Sequence, residues 1–121
     1  MFLRSAAALI VVQMIGCSTA PIPNVAGNWL GGETPQLAVH LQQSGNQIKV
    51  AGQLAEVGTT HGYVLAVRGS GSIRSDSILT MELKGVAGHQ FFAGKAVSGK
   101  VISGNISGDR VGSQQVTLTR Q

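Results

Sequence analysis

The side chains able to do chemistry in this chain are few and widely spaced. Its three histidines are His40, His61 and His89, and no pair has the H-x-H or H-x-x-x-H spacing that brings two imidazoles to one metal ion. Alternation along the chain places His40 opposite the apolar face of its strand, His61 in a loop and His89 at a strand start. We therefore predict no metal site and expect all three on the surface.

The carboxylates give no catalytic pattern either. Two of the five lie in predicted turns, where they accept hydrogen bonds from local amides, and a third points outward from its strand. A glycosidase needs two facing carboxylates, and a serine hydrolase of the elbow type needs a helix after its nucleophile. The sequence marks neither, so we predict no catalytic residue, no cofactor and no enzymatic activity. The five are Glu33, Glu56, Asp76, Glu82 and Asp109.

The sole cysteine follows an N-terminal apolar segment. Arg4 precedes apolar residues 6–15, which Gln13 interrupts once. The segment is shorter than the ~20 residues that a membrane-spanning helix needs, and its basic start and small final residue are typical of a secretory signal. The sequence predicts a signal peptide over residues 1–16. A single cysteine, Cys17, also excludes a disulfide framework within the chain.

The segment Met14-Ile15-Gly16-Cys17 resembles the lipobox of bacterial lipoproteins, with Met14 in place of the usual leucine. This resemblance implies that Cys17 becomes the first mature residue and carries a diacylglycerol and an amide-linked acyl chain such as palmitate. Several acyl chains make membrane attachment stable. In lipoproteins of Gram-negative bacteria, the residue after the cysteine helps to sort the protein between the inner and the outer membrane, and Asp there is linked to retention in the inner membrane. Ser18 stands at this position, so the resemblance implies anchoring in the outer membrane with the domain facing the periplasm. An uncleaved anchor, or a signal peptide with an incidental cysteine, stays open.

The remaining charge argues against nucleic-acid binding. The chain carries nine Lys and Arg against five Asp and Glu, and loss of Arg4 with the signal leaves 8 − 5 = +3. These charges form no basic run, and aromatic residues make up only 4% of the chain.

Residues 17–26 contain two prolines and no periodicity, which predicts an extended tether between lipid and domain.

From Gly27 onward the chain has the period of strands and shows no helical period. The connections are too short for a crossover helix, so neighbouring strands should be antiparallel. Closure of such a meander removes its exposed edges. We predict an all-β, up-and-down barrel, closed or nearly closed, over residues 27–121. The eight predicted strands cover residues 27–31, 36–42, 47–55, 62–73, 77–84, 89–97, 100–107 and 114–120.

Glycines recur on the predicted inward face of these strands. A glycine inside a strand costs backbone entropy, so repeated inward glycines suggest sharp bends or close packing in a narrow barrel. Flexible, poorly packed strands are the alternative. The residues concerned are Gly52, Gly69, Gly71, Gly94 and Gly104.

Aromatic residues are the remaining candidates for a binding site. Trp29, Tyr63 and Phe92 could line a ligand site or fill the core, and a tryptophan at the start of a barrel often closes one end. Phe91 and Phe92 should point to opposite faces, so one of them should be partly exposed, where it could contact a partner protein or a membrane.

The whole pattern resembles a group of small bacterial lipoproteins of unassigned function. They share a Gly-x-Trp-x-Gly strand, matched by Gly27-Asn28-Trp29-Leu30-Gly31, and a Leu-x-Leu-x-Gln-x-Gly hairpin, matched by residues 39–45 with Val39 for the first leucine. They end on a strand like Val116-Thr117-Leu118-Thr119-Arg120. The resemblance implies a lipocalin-like or avidin-like small barrel and names no ligand.

Two classes of function follow from these observations. The first is a non-catalytic, lipid-anchored envelope protein whose filled barrel is a structural or protein-interaction module, with a membrane partner at Cys17 and an envelope protein as a further partner. The second is a binding protein for a small apolar ligand, since eight strands leave room for side chains or for one small ligand. Inhibition of a periplasmic hydrolase is a weaker alternative. Lipid-anchored barrels that inhibit proteases or lysozymes generally have a disulfide, and the lysozyme inhibitors have a Ser-Gly-x-x-Tyr loop. This chain has one cysteine, and its segment Gly69-Ser70-Gly71-Ser72 lacks the tyrosine.

Overall fold

A computed structural model describes residues 21–32, 35–55, 64–86 and 88–121 of the chain. It is an all-β closed barrel, which confirms the predicted fold class. Within the described ranges there is no helix of the length and apolarity that crossing a bilayer requires. Six residues discussed above lie outside the described residues, as does the predicted signal peptide: Cys17, Ser18, Glu33, Glu56, His61 and Tyr63.

The eight strands follow one another around the barrel, each antiparallel to the next. The seam between the last strand and the first closes the cylinder, with Trp29 opposite Arg120 and Gly31 opposite Leu118. The strands are β1 (Gly27–Gly31), β2 (Gln36–Ser44), β3 (Gln47–Ala55), β4 (Val64–Ile73), β5 (Ile78–Gly85), β6 (Gly88–Ser98), β7 (Val101–Gly108) and β8 (Gly112–Arg120).

Predicted strand ends agree for β1 and β3, and the other described ends agree or differ by one or two residues; the predicted start of β4 at residue 62 lies outside the described residues. Most of the differences arise because pairing runs further into the turns than composition suggests. Ser44, placed in a turn by sequence, pairs with Gln47 and leaves a two-residue turn. Gly108, placed by sequence between two strands, pairs with Gly112, so the turn between β7 and β8 begins only at Asp109. Ser77, predicted to start a strand, has a φ of 72° and precedes β5.

Inward side chains of all eight strands make one apolar core. Alternation is plain on β3, where Ile48, Val50 and Leu54 are buried, while Lys49, Ala51 and Gln53 are exposed. Gln90 is the one polar residue buried among the described residues, and its Nε2 donates to the carbonyl of Asp109 at 2.9 Å. The largest fully buried side chains are Trp29, Phe92, Leu37, Leu41, Ile48, Leu54, Ile73, Leu79, Leu83, Ile102, Ile106 and Leu118.

The inward glycines stand where neighbouring backbones approach closely. A Cβ on Gly69 would lie 1.8 Å from the carbonyl oxygen of Glu82, and a Cβ on Gly71 would lie 1.9 Å from that of Thr80. Gly94 and Gly104 face each other across β6 and β7, and the ring of Phe92 lies against both positions. The close-packing interpretation of these glycines is confirmed.

Candidate functional site

Trp29 closes the end of the barrel at which the chain enters. Its side chain is 1% exposed, and its indole Nε1 donates to the carbonyl of Val25 at 2.9 Å. Val25 is itself 2% exposed and joins the core, although sequence placed it in the tether. A buried indole needs a partner for its N–H, and the chain just before β1 supplies it.

Arg120, at the far end of β8, holds the same segment from outside. Its guanidinium lies over the Trp29 ring, 4.6 Å from the ring centroid. Nη2 donates to the carbonyl of Asn24 at 2.9 Å, Nη1 donates to that of Ala26, and Nε donates to that of Gly99 at 2.8 Å. Charge-assisted hydrogen bonds and a cation–π contact therefore fasten both termini of the domain together.

Gln43 on β2 fixes the segment on its other side. Its Oε1 accepts from the Val25 N–H at 2.8 Å, while its Nε2 donates to the carbonyls of Pro23 and Gly45 at 2.9 Å. We call residues 23–26 with Trp29, Gln43 and Arg120 the N-terminal latch. The latch binds the last residues of the predicted tether to the barrel. The chain before Pro23 is therefore attached at this end of the barrel.

Replacing Arg120 with alanine should lower the free energy of unfolding by about 2–3 kcal/mol, because hydrogen bonds to a charged group contribute about 1.5–3 kcal/mol and several are lost together. Urea denaturation measures this loss. Arg120→Lys keeps the charge without the planar donors and should recover only part of it. Lys100→Ala, at an exposed turn, is the matched control. Equal stability of Arg120→Ala and that control would contradict the latch.

Phe92 and Phe91 occupy opposite sides of the wall, as alternation predicted. Phe92 is 1% exposed inside the barrel, and Phe91 is 49% exposed outside it. Of the three aromatic candidates, Trp29 and Phe92 thus contribute to the core, while Tyr63 lies outside the described residues.

The two described histidines are exposed, and each contacts a single neighbouring polar side chain. His40 Nδ1 donates to Asn28 Oδ1 at 2.8 Å. His89 Nδ1 lies 3.7 Å from a carboxylate oxygen of Glu82. Within the described ranges no three His, Cys, Asp or Glu side chains come together in a way that could hold a metal ion.

The described turn carboxylates have structural partners. Asp109 accepts from the His89 N–H at 2.9 Å, and Asp76 pairs with Arg74 and accepts from the Ile78 N–H at 3.3 Å. Both therefore stabilise turns, as their sequence positions predicted.

Among the described strands, the outer wall has open depressions that include the following three. One of about 510 Å³ spans β1 to β3 around Leu30, Ala38 and Gln53. A second of about 270 Å³ spans β2 to β4. A third of about 380 Å³ lies between Thr80 and Phe91. Sequence reasoning missed the latch contacts of Gln43 and Arg120, and it missed that Lys49 and Arg68 line the second depression together, since only the folded register brings these side chains to their partners.

Comparison of the chain with protein families, with curated proteins and with solved structures found no match. Its function must therefore be inferred from its own residues and their arrangement.

Proposed function

We propose that this protein is a non-catalytic lipoprotein of the bacterial cell envelope, anchored in the outer membrane through Cys17 and facing the periplasm. The observation that carries the proposal is the sole cysteine beside a small residue at the end of a short apolar segment, in Met14-Ile15-Gly16-Cys17. Acylation at Cys17 would leave the barrel tied to the bilayer by the residues before Asn24.

The barrel supports the role of a structural or protein-interaction module. Its inward face carries large aliphatic side chains and two buried aromatic rings, with Leu41, Leu83 and Ile106 fully buried. A filled interior leaves the outer wall and the loops as the surfaces that meet other molecules. The described carboxylates in turns are engaged with local partners, which agrees with a binding rather than a catalytic protein.

The Cys17→Ala variant should lose its lipid. Metabolic labelling with a fatty-acid analogue should mark the wild-type protein and leave the variant unlabelled, because the thioether and the cysteine-dependent processing both need the thiol. An unprocessed precursor should accumulate in the variant. Ser18→Ala keeps the cysteine and should be labelled like the wild type. Label that persists in Cys17→Ala would remove the basis of the lipoprotein proposal.

A further inference from the structure

Three cationic side chains share the outer wall of three adjacent strands. Lys49 is on β3, Arg68 on β4 and Lys84 on β5, and all three are exposed. Arg68 lies directly opposite Lys84. On its other side Arg68 lies opposite Ala51, two residues from Lys49 on the same face of β3. We call Lys49, Arg68 and Lys84 the basic face.

No carboxylate forms an ion pair with these cations within the described part of the chain. None of the three side chains makes a hydrogen bond or an ion pair there. Glu82 is the one described carboxylate on this wall; it is half-buried, lies two residues from Lys84 on the same face of β5, and its carboxylate is 3.7 Å from His89. Like charges directly opposite in a sheet destabilise it. The Arg68–Lys84 pairing thus costs the fold stability, which points to a role outside the fold.

The second depression of the outer wall lies within the basic face. It has a volume of about 270 Å³, and Lys49 and Arg68 both line it, together with His40 and Gln42. Two cations, an amide and an imidazole supply several donors around a space that suits a tetrahedral anion. Arginine and lysine are the usual partners of phosphate groups.

An apolar group lies next to these charges. Phe91 on β6 is 49% exposed, lies opposite Glu82 and borders the third depression. Cationic side chains beside an exposed aromatic ring are the combination that binds lipid–water interfaces, where charge meets headgroups and the ring meets the acyl boundary. A small soluble anion has no apolar part that could contact the Phe91 ring, so the ring favours a lipid over such an anion.

The chain length before the barrel also places a membrane within reach. Cys17 lies six residues before Pro23, where the latch begins. Six residues span at most about 22 Å when fully extended. If Cys17 carries the lipid, the barrel is held against the bilayer surface, where weak electrostatic contacts act at high effective concentration.

We propose that the basic face docks on the phosphate headgroups of anionic lipids in the membrane that holds Cys17. This rests on the proposed function, because the anchor supplies the proximity. Docking orients the barrel with the β3–β5 wall against the bilayer and leaves the β7–β8 wall open to the periplasm. Removal of one charge should lower the ratio of docked to undocked protein about fivefold, the equivalent of about 1 kcal/mol.

The test uses the full acylated chain in vesicles of phosphatidylcholine, with or without phosphatidylglycerol. An environment-sensitive fluorophore is placed on Ser70→Cys, within the basic face, or on Gln115→Cys, on the β8 outer wall. Acylated Cys17 is not available for labelling. The Ser70 label should report an apolar environment only with phosphatidylglycerol, and salt should reverse this by screening. The Gln115 label should not respond.

Charge-matched variants provide the decisive comparison. Arg68→Gln with Lys84→Gln should lower docking about twenty-five-fold at fivefold per charge. Lys95→Gln with Lys100→Gln removes the same charge from β6 and its turn and should leave docking unchanged.

Three results would overturn the proposal. They are a Ser70 label that ignores lipid charge, equal effects of the two double variants, and a full response to inorganic phosphate without anionic lipid, which would show a small-anion site. Flotation of the same vesicles reports the anchor separately. A chain that does not float refutes anchoring at Cys17, whereas a floating chain with a silent Ser70 label refutes the basic face alone.

Discussion

Replacing Gly69 with alanine should cost the barrel more than about 4 kcal/mol, a loss reserved for substitutions with a severe steric cause. The new Cβ would lie 1.8 Å from the carbonyl oxygen of Glu82 and 2.8 Å from its carbonyl carbon. Both are backbone atoms of the paired strand β5, so no side chain can move aside. Relief requires the two strands to separate, which breaks their hydrogen bonds. Urea denaturation of the purified protein measures the loss, and failure to fold is its extreme form.

Gly99→Ala is the matched control for this substitution. Gly99 lies in the turn between β6 and β7, and a Cβ there meets no atom of the described residues within 4 Å. Such a change should alter the free energy of unfolding by less than about 1 kcal/mol and can be stabilising, because alanine restricts the unfolded chain. If Gly69→Ala were as mild as Gly99→Ala, strands β4 and β5 would not approach each other as described.

Truncation of a core leucine should have the next largest effect. Leu41→Ala and Leu83→Ala should each lower the free energy of unfolding by about 2–5 kcal/mol, because both side chains are fully buried and their removal leaves a cavity in a packed interior. Chemical denaturation of each variant measures this loss. Leu30→Ala changes a half-buried residue that borders the first depression and should cost clearly less.

The same variants separate a filled barrel from one that holds a small apolar ligand. In a hollow barrel one of these leucines would line the cavity, and its truncation would be mild in the empty protein but would change ligand affinity. Near-neutral stability of both variants, with tight binding of an apolar fluorescent probe to the wild type, would contradict the filled interior.

Much of the fold could be predicted from local pattern, because a strand with one buried face records its orientation in every second residue. Alternation placed Val50 inward and His40 outward, and it assigned Phe91 and Phe92 to opposite faces. Inward glycines were recognisable because they interrupt an apolar face with a residue that adds no side chain.

The latch could not be predicted in the same way. Arg120 donates hydrogen bonds to the backbone carbonyls of Asn24, Ala26 and Gly99. Every residue has a backbone carbonyl, so residue types in the sequence do not indicate which carbonyls will accept such bonds. Val25 looked like part of a tether because the strand pattern begins only at Gly27.

The basic face escaped prediction for a different reason. Lys49, Arg68 and Lys84 are far apart along the chain and form no basic run. Their proximity depends on the register of β3, β4 and β5, which is set by the hydrophobic pattern of each strand and by turn geometry and not by where charged residues fall along the chain. A modest net charge thus conceals a local concentration of positive charge.

The intact mass of the protein extracted from the cell envelope in mild detergent tests the central claim most directly. A lipid-anchored, filled barrel predicts one species with the mass of residues 17–121 plus a diacylglycerol and an amide-linked acyl chain, and no small molecule bound under native conditions. A chain whose Cys17 is unmodified, or one cleaved elsewhere, would contradict the anchor. A stoichiometric apolar molecule that leaves only on unfolding would contradict the filled barrel.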